Sequence, residues 1–335
     1  MGYEQLREDI LSWEWIMTIA VIIIFLVMIL GNSGCINKES KTIKVSGAYA
    51  LYPMMTIWAE EYQKIHPDVK IEVSGGGAGK GMADALGGLV DIGMVSRDIY
   101  PEEIDKNAFY ISVAKDAVVA TISSDNPILD ELMAKGITRD KFVKIFITRE
   151  IKTWGELVGN PEINNEIKVY TRADACGAAK TWAKYLGDYT QEDLTEVADA
   201  GIMHDPDLAE AVKNDKYAIG YNNINFAYDV KTENPVEGIR AVPIDLNENN
   251  RIDENENFYN TRAEILQAIG NNIYPSPPAR DLHLVTKDEF KGEAKEFVRW
   301  ILTDGQQYVP ENGYIQLPPE KLESELNVSK TNTRT

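Results

Sequence analysis

An α/β fold of two lobes is predicted by three observations on this chain. Residues 42–98 alternate strand, helix, strand, helix, strand, the pattern of a parallel sheet with helices on its faces. Three segments each place a short turn between a strand and a helix: SGAYALYP at 46–53, SGGGAGKG at 74–81 and TRADACGAAKTW at 171–182. At 335 residues and 44% hydrophobic content, the chain has the material for two such domains rather than one. Each lobe is expected to be a mostly parallel sheet flanked by helices, with more than one crossover at the hinge.

The elements follow in order. TIKVSGAYALYPMMTIWAEEYQKIHPDVKIEVSGGG reads as strand, turn, helix, strand, turn. Pro53 presets φ near the first helical position, and Met54, Ile57, Trp58, Glu61 and Ile65 follow at mostly helical spacing. Residues 82–89 are predicted as a helix and LVDIGMVS as a buried strand. The β-branched run 109–123 is a further strand, and 138–147 and 153–157 are short helices. EIKVYTRADACGAAKTWAKYLG repeats the strand, polar turn, helix theme, and 200–214 is predicted helical. YAIGYNNINFAY, GIRAVPIDL and ARDLHLVTK supply more strands. Residues 292–303 form an amphipathic helix with Phe297, Trp300 and Ile301 on or near its apolar face. These elements assign residues 41–115 and 280–325 to the first lobe, 116–279 to the second, and 326–335 to a flexible tail.

Residues 1–40 are read as a membrane anchor or signal segment with a linker. The apolar run 16–30 spans roughly 22 Å as a helix, short of a ~30 Å bilayer core unless residues 13–15 join it. Trp13 and Trp15 suit a membrane interface. The leader carries Arg7 against Glu4, Glu8, Asp9 and Glu14, unusual for either role. GNSGC at 31–35 resembles a lipoprotein processing site ending at Cys35, with Asn32 where such sites favour an apolar residue. Either version puts the soluble part outside the cytoplasm, tethered to the cell membrane. Cys176 is then left alone, so no disulfide is expected within the domain.

The glycine-rich turn at 74–81 carries the chemistry. Gly75, Gly76, Gly77, Gly79 and Gly81 allow backbone N–H groups to approach a ligand closely, and the helix behind them points positive partial charge at the same spot. Two nucleotide motifs are excluded. GxxxxGK[ST] fails because Ser74 lies five before Gly79 and Gly81 follows Lys80; GxGxxG fails because Lys80 and Met82 stand where the third glycine belongs. A flexible linker would not lead into the strand LVDIGMVS. The net charge of −19 argues against a nucleic-acid partner, while local donors can still hold a small anion.

In open α/β sheets ligands bind where such turns converge at the carboxyl ends of strands. Arg172 offers a planar fork for a tetrahedral oxyanion and Asp174 can orient it. Arg97, ending a strand, is a second arginine candidate, and Gly79, Ser96, Ser46, Ser74 and Tyr49 supply further polar groups.

The motifs KVSGAYALYPM, SGGGAGKGMADALGGLVDIGMVSRD, TRADACGAAKTW, YAIGYNNINFA and VRWILTDGQQYVPENGYIQLP, in that order, resemble the phosphate-type substrate-binding proteins of ABC transporters. The resemblance spans residues 42–319 and implies a two-lobed periplasmic-binding-protein fold that closes on an inorganic oxyanion and delivers it to permease subunits. It implies anion contacts at Ala50 and Leu51 in the first turn and Ala78 in the second. In the third turn it implies Arg172, Cys176, Gly177 and Ala178. Several hydroxyls expected there are Ala or Cys, which leaves backbone amides and arginines to bind. Some members place an aspartate near Arg97 to accept a proton from hydrogen phosphate. Its absence opens sulfate, tungstate or molybdate beside phosphate, which stays first on the resemblance.

Residues 245–256, DLNENNRIDENE, follow the twelve-residue calcium-loop pattern. Asp245, Asn247 and Asn249 occupy positions 1, 3 and 5, the Arg251 carbonyl position 7, Asp253 position 9 and Glu256 position 12, a set of hard oxygen donors for Ca2+. Asn250 stands at position 6 in place of glycine and tolerates the left-handed conformation. The competing reading is a bare acidic loop.

The protein is therefore not expected to be an enzyme. The hydrolytic alternative, Cys176 attacking phosphate esters from a helix N-terminus that lowers its pKa, lacks a base: His66, His204 and His283 are the only histidines, none in a recognisable catalytic setting. An adhesive surface protein has only the anchor and calcium loop in its favour.

Overall fold

The computed structural model describes residues 41–187 and 189–331. Nine strands form one sheet: β1 Lys41–Gly47, β2 Val69–Gly75, β3 Ile92–Val95, β4 Ala108–Ser123, β5 Lys168–Arg172, β6 Ala200–Ile202, β7 Ala218–Asn223, β8 Ile239–Ala241 and β9 Ala279–Lys287. Their spatial order is β2-β1-β3-β9-β4-β7-β5-β6, with β8 pairing on β4. The sheet is mixed. β1 runs parallel to β3, and β5 parallel to β6 and β7, but β4 and β9 pair antiparallel with their neighbours in the centre.

β4 explains this arrangement. Its 16 residues extend ~50 Å at about 3.3 Å each, long enough to serve two hydrophobic cores. Residues 108–117 pair with β9, and from Val118 onward the strand pairs with β7 and β8. One core gathers Ile43, Val45, Trp58, Met94, Ile111, Ala114, Leu282 and Phe297; the other gathers Ala117, Val118, Phe142, Phe146, Val169, Trp182, Tyr221 and Ala279. The change of core thus falls at 114–117 on β4 and 279–282 on β9. Two adjacent antiparallel strands cross together, so the lobes share a two-stranded hinge.

The helices that frame the site are α1 Tyr52–Ile65, α2 Ala78–Leu86, α3 Gly177–Leu186 and α4 Asp205–Asn214. α1 buries Met54, Met55, Trp58 and Tyr62, and the Trp58 indole donates to the carbonyl of Gly305 at 2.9 Å. α2 starts four residues earlier than its composition predicts, taking Gly79 and Gly81 into the helix. Glycine is a poor helix former, but these glycines let the helix lie directly on the sheet. A Cβ on Gly81 would stand 2.8 Å from the Cα of Gly47, and one on Gly93 2.9 Å from the Cβ of Ala85. Packing overrides propensity here.

Residues 200–202, predicted helical, are the edge strand β6, because Tyr170–Arg172 offer them a parallel ladder. α4 begins only at Asp205, with proline in its first turn. Residues 224–227, predicted as strand, make one helical turn after β7. The C-terminal segment Pro319–Thr331 is helical and buries Glu325, Val328 and Ser329, so 326–331, read as tail, are packed. No helix among the described residues is long and apolar enough to cross a membrane. The apolar run 16–30 and Cys35 lie outside the described residues.

Candidate functional site

The three turns meet. The Gly77 amide donates to the Gly47 carbonyl at 3.0 Å, joining the first turn to the second. The Gly79 amide donates to the Ala175 carbonyl at 3.2 Å, joining the second to the third across the lobes. Gly77 has φ +86°, and a Cβ there would stand 2.9 Å from the Ala175 oxygen, so only glycine permits this approach. A Cβ on Gly177 would collide with the carbonyl and hydroxyl oxygens of Ser96, which seats the start of α3 against the end of β3.

Within this junction the amides of Ala50, Ala78, Gly177 and Ala178 have no acceptor among the described residues. All four residues are buried. Ala78 opens α2, and Gly177 and Ala178 open α3, where helix geometry leaves N–H groups unpaired. An unpaired buried amide is uncommon and costs about 1–3 kcal/mol. Four of them, drawn from both lobes, lie in the turns that meet at this junction.

Arg172, at the end of β5, is fully buried. Its Nε donates to Asp174 Oδ1 at 2.8 Å and its Nη2 to Asp174 Oδ2 at 2.5 Å. Nη1 lies against Asp205 Oδ2 as an ion pair but has no aligned hydrogen bond. It is the one nitrogen of this guanidinium without a directed hydrogen bond among the described residues. Burial works against the charge on Asp174, but the Arg172 guanidinium and the His204 amide outweigh it and hold its carboxyl below the usual range. Burial pushes the Asp205 carboxyl up, with Arg172 opposing. Gln191 braces the turn, donating to the Asp174 carbonyl at 2.7 Å and accepting from the Cys176 amide at 3.3 Å.

Other residues singled out by sequence are engaged elsewhere. Arg97 does not present its guanidinium to the turns: it donates to Glu103 at 2.6 and 2.8 Å and to the Asp98 carbonyl at 2.7 Å, and lies 4.3 Å over the Tyr100 ring. The helical turn Pro101–Ile104, where Glu103 Oε2 accepts from the Tyr100 amide, brings that carboxylate back. The Leu51 amide closes its own turn onto the Ala48 carbonyl at 3.1 Å. Ser46 donates to Asp84 at 2.6 Å and Ser74 to the Val45 carbonyl at 3.2 Å. Tyr49 meets the His204 ring edge-on at 5.3 Å. A cleft of about 1140 Å³ beside the junction is lined by Arg97, Tyr100, Lys115, Lys180 and Arg280, but not by the four amides.

Cys176 caps α3, its sulfur accepting from the Ala179 amide at 3.3 Å. Burial pushes its thiol up to about 12 even with Arg172 nearby, opposite to the activation that the helix N-terminus alone predicts. His66 stacks on Tyr62, His283 meets Ser112 Oγ at 3.1 Å, and His204 pairs with Asp207 at 3.1 Å. Burial thus works against the thiolate that the nucleophile reading requires.

Sequence reasoning missed Asp205, Asn223, Arg280 and Asp116, which back Arg172. The only local signal was the pair of acids in HDPD at 204–207, a helix-start pattern.

The loop 245–256 curls on itself. Asp245 accepts from the amides of Asn249 and Asn250 at 3.2 and 2.8 Å, and Glu256 from those of Leu246, Asn247 and Asp253 at 2.9 to 3.1 Å. Asn250 has φ +61°. Asn247 and Asn249 both donate to Asp253, which also pairs with Arg251. Among the described residues no group of three His, Cys, Asp or Glu side chains is gathered as a metal site.

Lobes that share crossing strands and meet around unpaired donors define a two-lobed α/β protein with its free donors at the lobe junction. Residues 36–305 match the family model described as the PBP superfamily domain, and the chain belongs to the PBP superfamily. It is 27% identical over 296 residues to the phosphate-binding protein PstS of Bacillus subtilis, covering 87% of this chain and 86% of that protein. It is 25% identical to the protein of the same name from Methanocaldococcus jannaschii, covering 89% and 88%. Among solved structures it resembles a candidate phosphate ABC transporter substrate-binding protein with bound phosphate from Clostridium perfringens. There the TM-score is 0.67 and the identity 25%, covering 83% of this chain and all of that one.

Proposed function

We propose that the protein is the extracytoplasmic receptor of an ABC-type transporter and holds a tetrahedral oxyanion, phosphate foremost, between its lobes. The observation that carries this is the set of four buried amides at the lobe junction, Ala50, Ala78, Gly177 and Ala178, without acceptors among the described residues, together with the buried Arg172 at the end of the strand that leads into the third turn. A tetrahedral anion offers enough acceptor oxygens for all of them, and amides need no proton bookkeeping to bind it. The relatives named for phosphate binding support the choice of anion. Sulfate, tungstate and molybdate stand second, favoured by the absence of an acid at position 97 and of hydroxyl side chains at Ala50, Ala78 and Ala178.

Isothermal titration with the four anions tests this. One-site binding to at least one is expected, weakened in Arg172→Ala by about 1.5–3 kcal/mol, roughly 10- to 150-fold. No heat with any anion overturns the reading.

Membrane attachment through residues 16–30 and Cys35 belongs to the same proposal. Labelled fatty acid should enter the wild type and not Cys35→Ser; equal labelling of the two refutes lipidation there. Calcium in the loop 245–256 is also proposed. The oxygen-only donor set, the left-handed Asn250 and the burial of Asp245 and Glu256 support it. A calcium-dependent rise in Tm that vanishes in Glu256→Ala is expected, and no rise in the wild type removes the ion.

A further inference from the structure

A buried polar chain runs from the hinge to the anion site. Asp116 on β4 and Arg280 on β9 are cross-strand partners at the change of core. Arg280 donates to Asp116 from Nε at 2.7 Å and Nη2 at 3.1 Å, to Thr181 from Nη1 at 3.1 Å, and to Asn223 Oδ1. The Asn223 side-chain Nδ2 donates to Asp205 Oδ1 at 2.5 Å, and Asp205 Oδ2 faces Arg172, which is held by Asp174. Asp116, Asn223, Asp205, Arg172 and Arg280 are all less than 7% exposed.

The chain holds three carboxylates, Asp116, Asp205 and Asp174, against two guanidinium groups. It carries one negative charge in excess where an anion is to bind, and Arg172 is already neutralised. Charges this deep are weakly screened, so an arriving anion repels the carboxylates unless one takes up a proton. The bonding picks out which one. Asp116 receives two bonds from Arg280. Asp174 receives two from Arg172 and one from the His204 amide at 3.2 Å. Asp205 has the Asn223 side-chain amide and a close ion pair with Nη1 of Arg172, but no two-pronged hydrogen-bonded pair like the other two.

We propose that Asp205 is a specificity-determining residue of the anion site: it takes a proton as the anion enters, which frees Nη1 of Arg172 for the ligand, so that the protein binds an anion and a proton together. This rests on the receptor reading above. The proton comes from solvent, and only an O–H bond on Asp205 forms. Around Asp205 stand Arg172 from β5, Asp174 and Cys176 from the third turn, and Arg280 from β9. Asp116 faces it from β4 and Tyr49 from the first turn, with His204 and Asp207 beside it in sequence. Burial raises its carboxyl with Arg172 opposing, as it raises that of Asp116 with Arg280 opposing, so the choice of Asp205 rests on the bonding; a bound anion raises it further. Uptake on binding means that affinity is highest at low pH. It falls by up to tenfold per pH unit between the free and bound pKa values of this carboxyl.

The experiment is titration of the full chain in detergent with phosphate, near neutral pH, in two buffers of different ionisation heat, on wild type, Asp205→Asn and Asp205→Glu. Phosphate's own protonation is common to all three and is read from the 31P shift of the bound ligand. The wild type and Asp205→Glu should each take up about one proton more per phosphate than Asp205→Asn. Asp205→Asn should bind above neutral pH at least as tightly as the wild type, with the pH slope gone. A residue that merely braces the fold would instead weaken binding at every pH. Equal proton counts in wild type and Asp205→Asn, or uniform weakening, overturns the inference while leaving the receptor intact. If Asp205→Asn does not fold, the ligand-corrected count on the wild type decides: about one proton supports the inference and none overturns it. Absence of binding by any anion removes the receptor reading and this inference with it.

Discussion

Arg172 and Arg97 follow strands in much the same way in sequence, yet only one serves the junction. Arg172 is fixed by Asp174 two residues on, a short-range pairing that the sequence displays; Arg97 is claimed by Glu103 across a helical turn, which it does not. Arg97→Ala is therefore expected to leave anion affinity within a few-fold while lowering Tm, since Glu103 stays behind part-buried without its partner. A hundredfold loss of affinity would restore Arg97 to the site. Gly177→Ala should be severe for both, because the added methyl meets Ser96; overpacking of this kind costs about 1–3 kcal/mol, and unchanged Tm would show that the two lobes do not sit this closely in solution. Asp174 gives the acid limb its sign. Its folded carboxyl is held below its ordinary value, so its contribution to stability is present above the unfolded pKa and is lost as pH falls through the folded one. Asp174→Asn should flatten that part of the acid unfolding curve, as followed by circular dichroism.

Among the elements, α2 shows most clearly how packing and propensity divide the work. The glycines that weaken it as a helix are those that let it lie on β1 and β3, and the same close approach carries the Ala78 amide into the junction. Elements with strong local signals, such as α1 behind its proline and the apolar β4, were readable from composition and period. β6 was not, because three residues become a strand only when a neighbouring edge accepts them. α3 is anchored by Trp182, packed among Phe142, Phe146 and Tyr221 at centroid distances of 5.1 to 6.0 Å. Trp182→Ala should cost about 3–5 kcal/mol and loosen the Gly177 and Ala178 amides with it. A smaller loss in chemical denaturation would mean that the core collapses around the gap.

For the whole molecule, the central fact is that β4 and β9 belong to both lobes and carry a buried ion pair where they change core. Asp116→Ala leaves Arg280 buried and uncompensated, so a loss of about 3–5 kcal/mol is expected, along with a lowered barrier to parting the lobes. Denaturation that separates into two steps in this variant, against one in the wild type, would locate the coupling at the hinge; identical curves would deny it.

The chain by itself determined that there are two α/β lobes, that three turns precede helices, and that Arg172 pairs with Asp174 two residues on. Those features depend on periodicity, glycine and proline placement, and contacts two residues apart. Folding in three dimensions decided which amides are left without acceptors, where Arg97 goes, and that Asp205, Asn223, Arg280 and Asp116 stand behind the site. The last four lie 33, 51, 108 and −56 positions from Arg172 in the chain. No local propensity encodes a charge balance among groups so far apart; it exists only once burial has removed the water that would otherwise screen them.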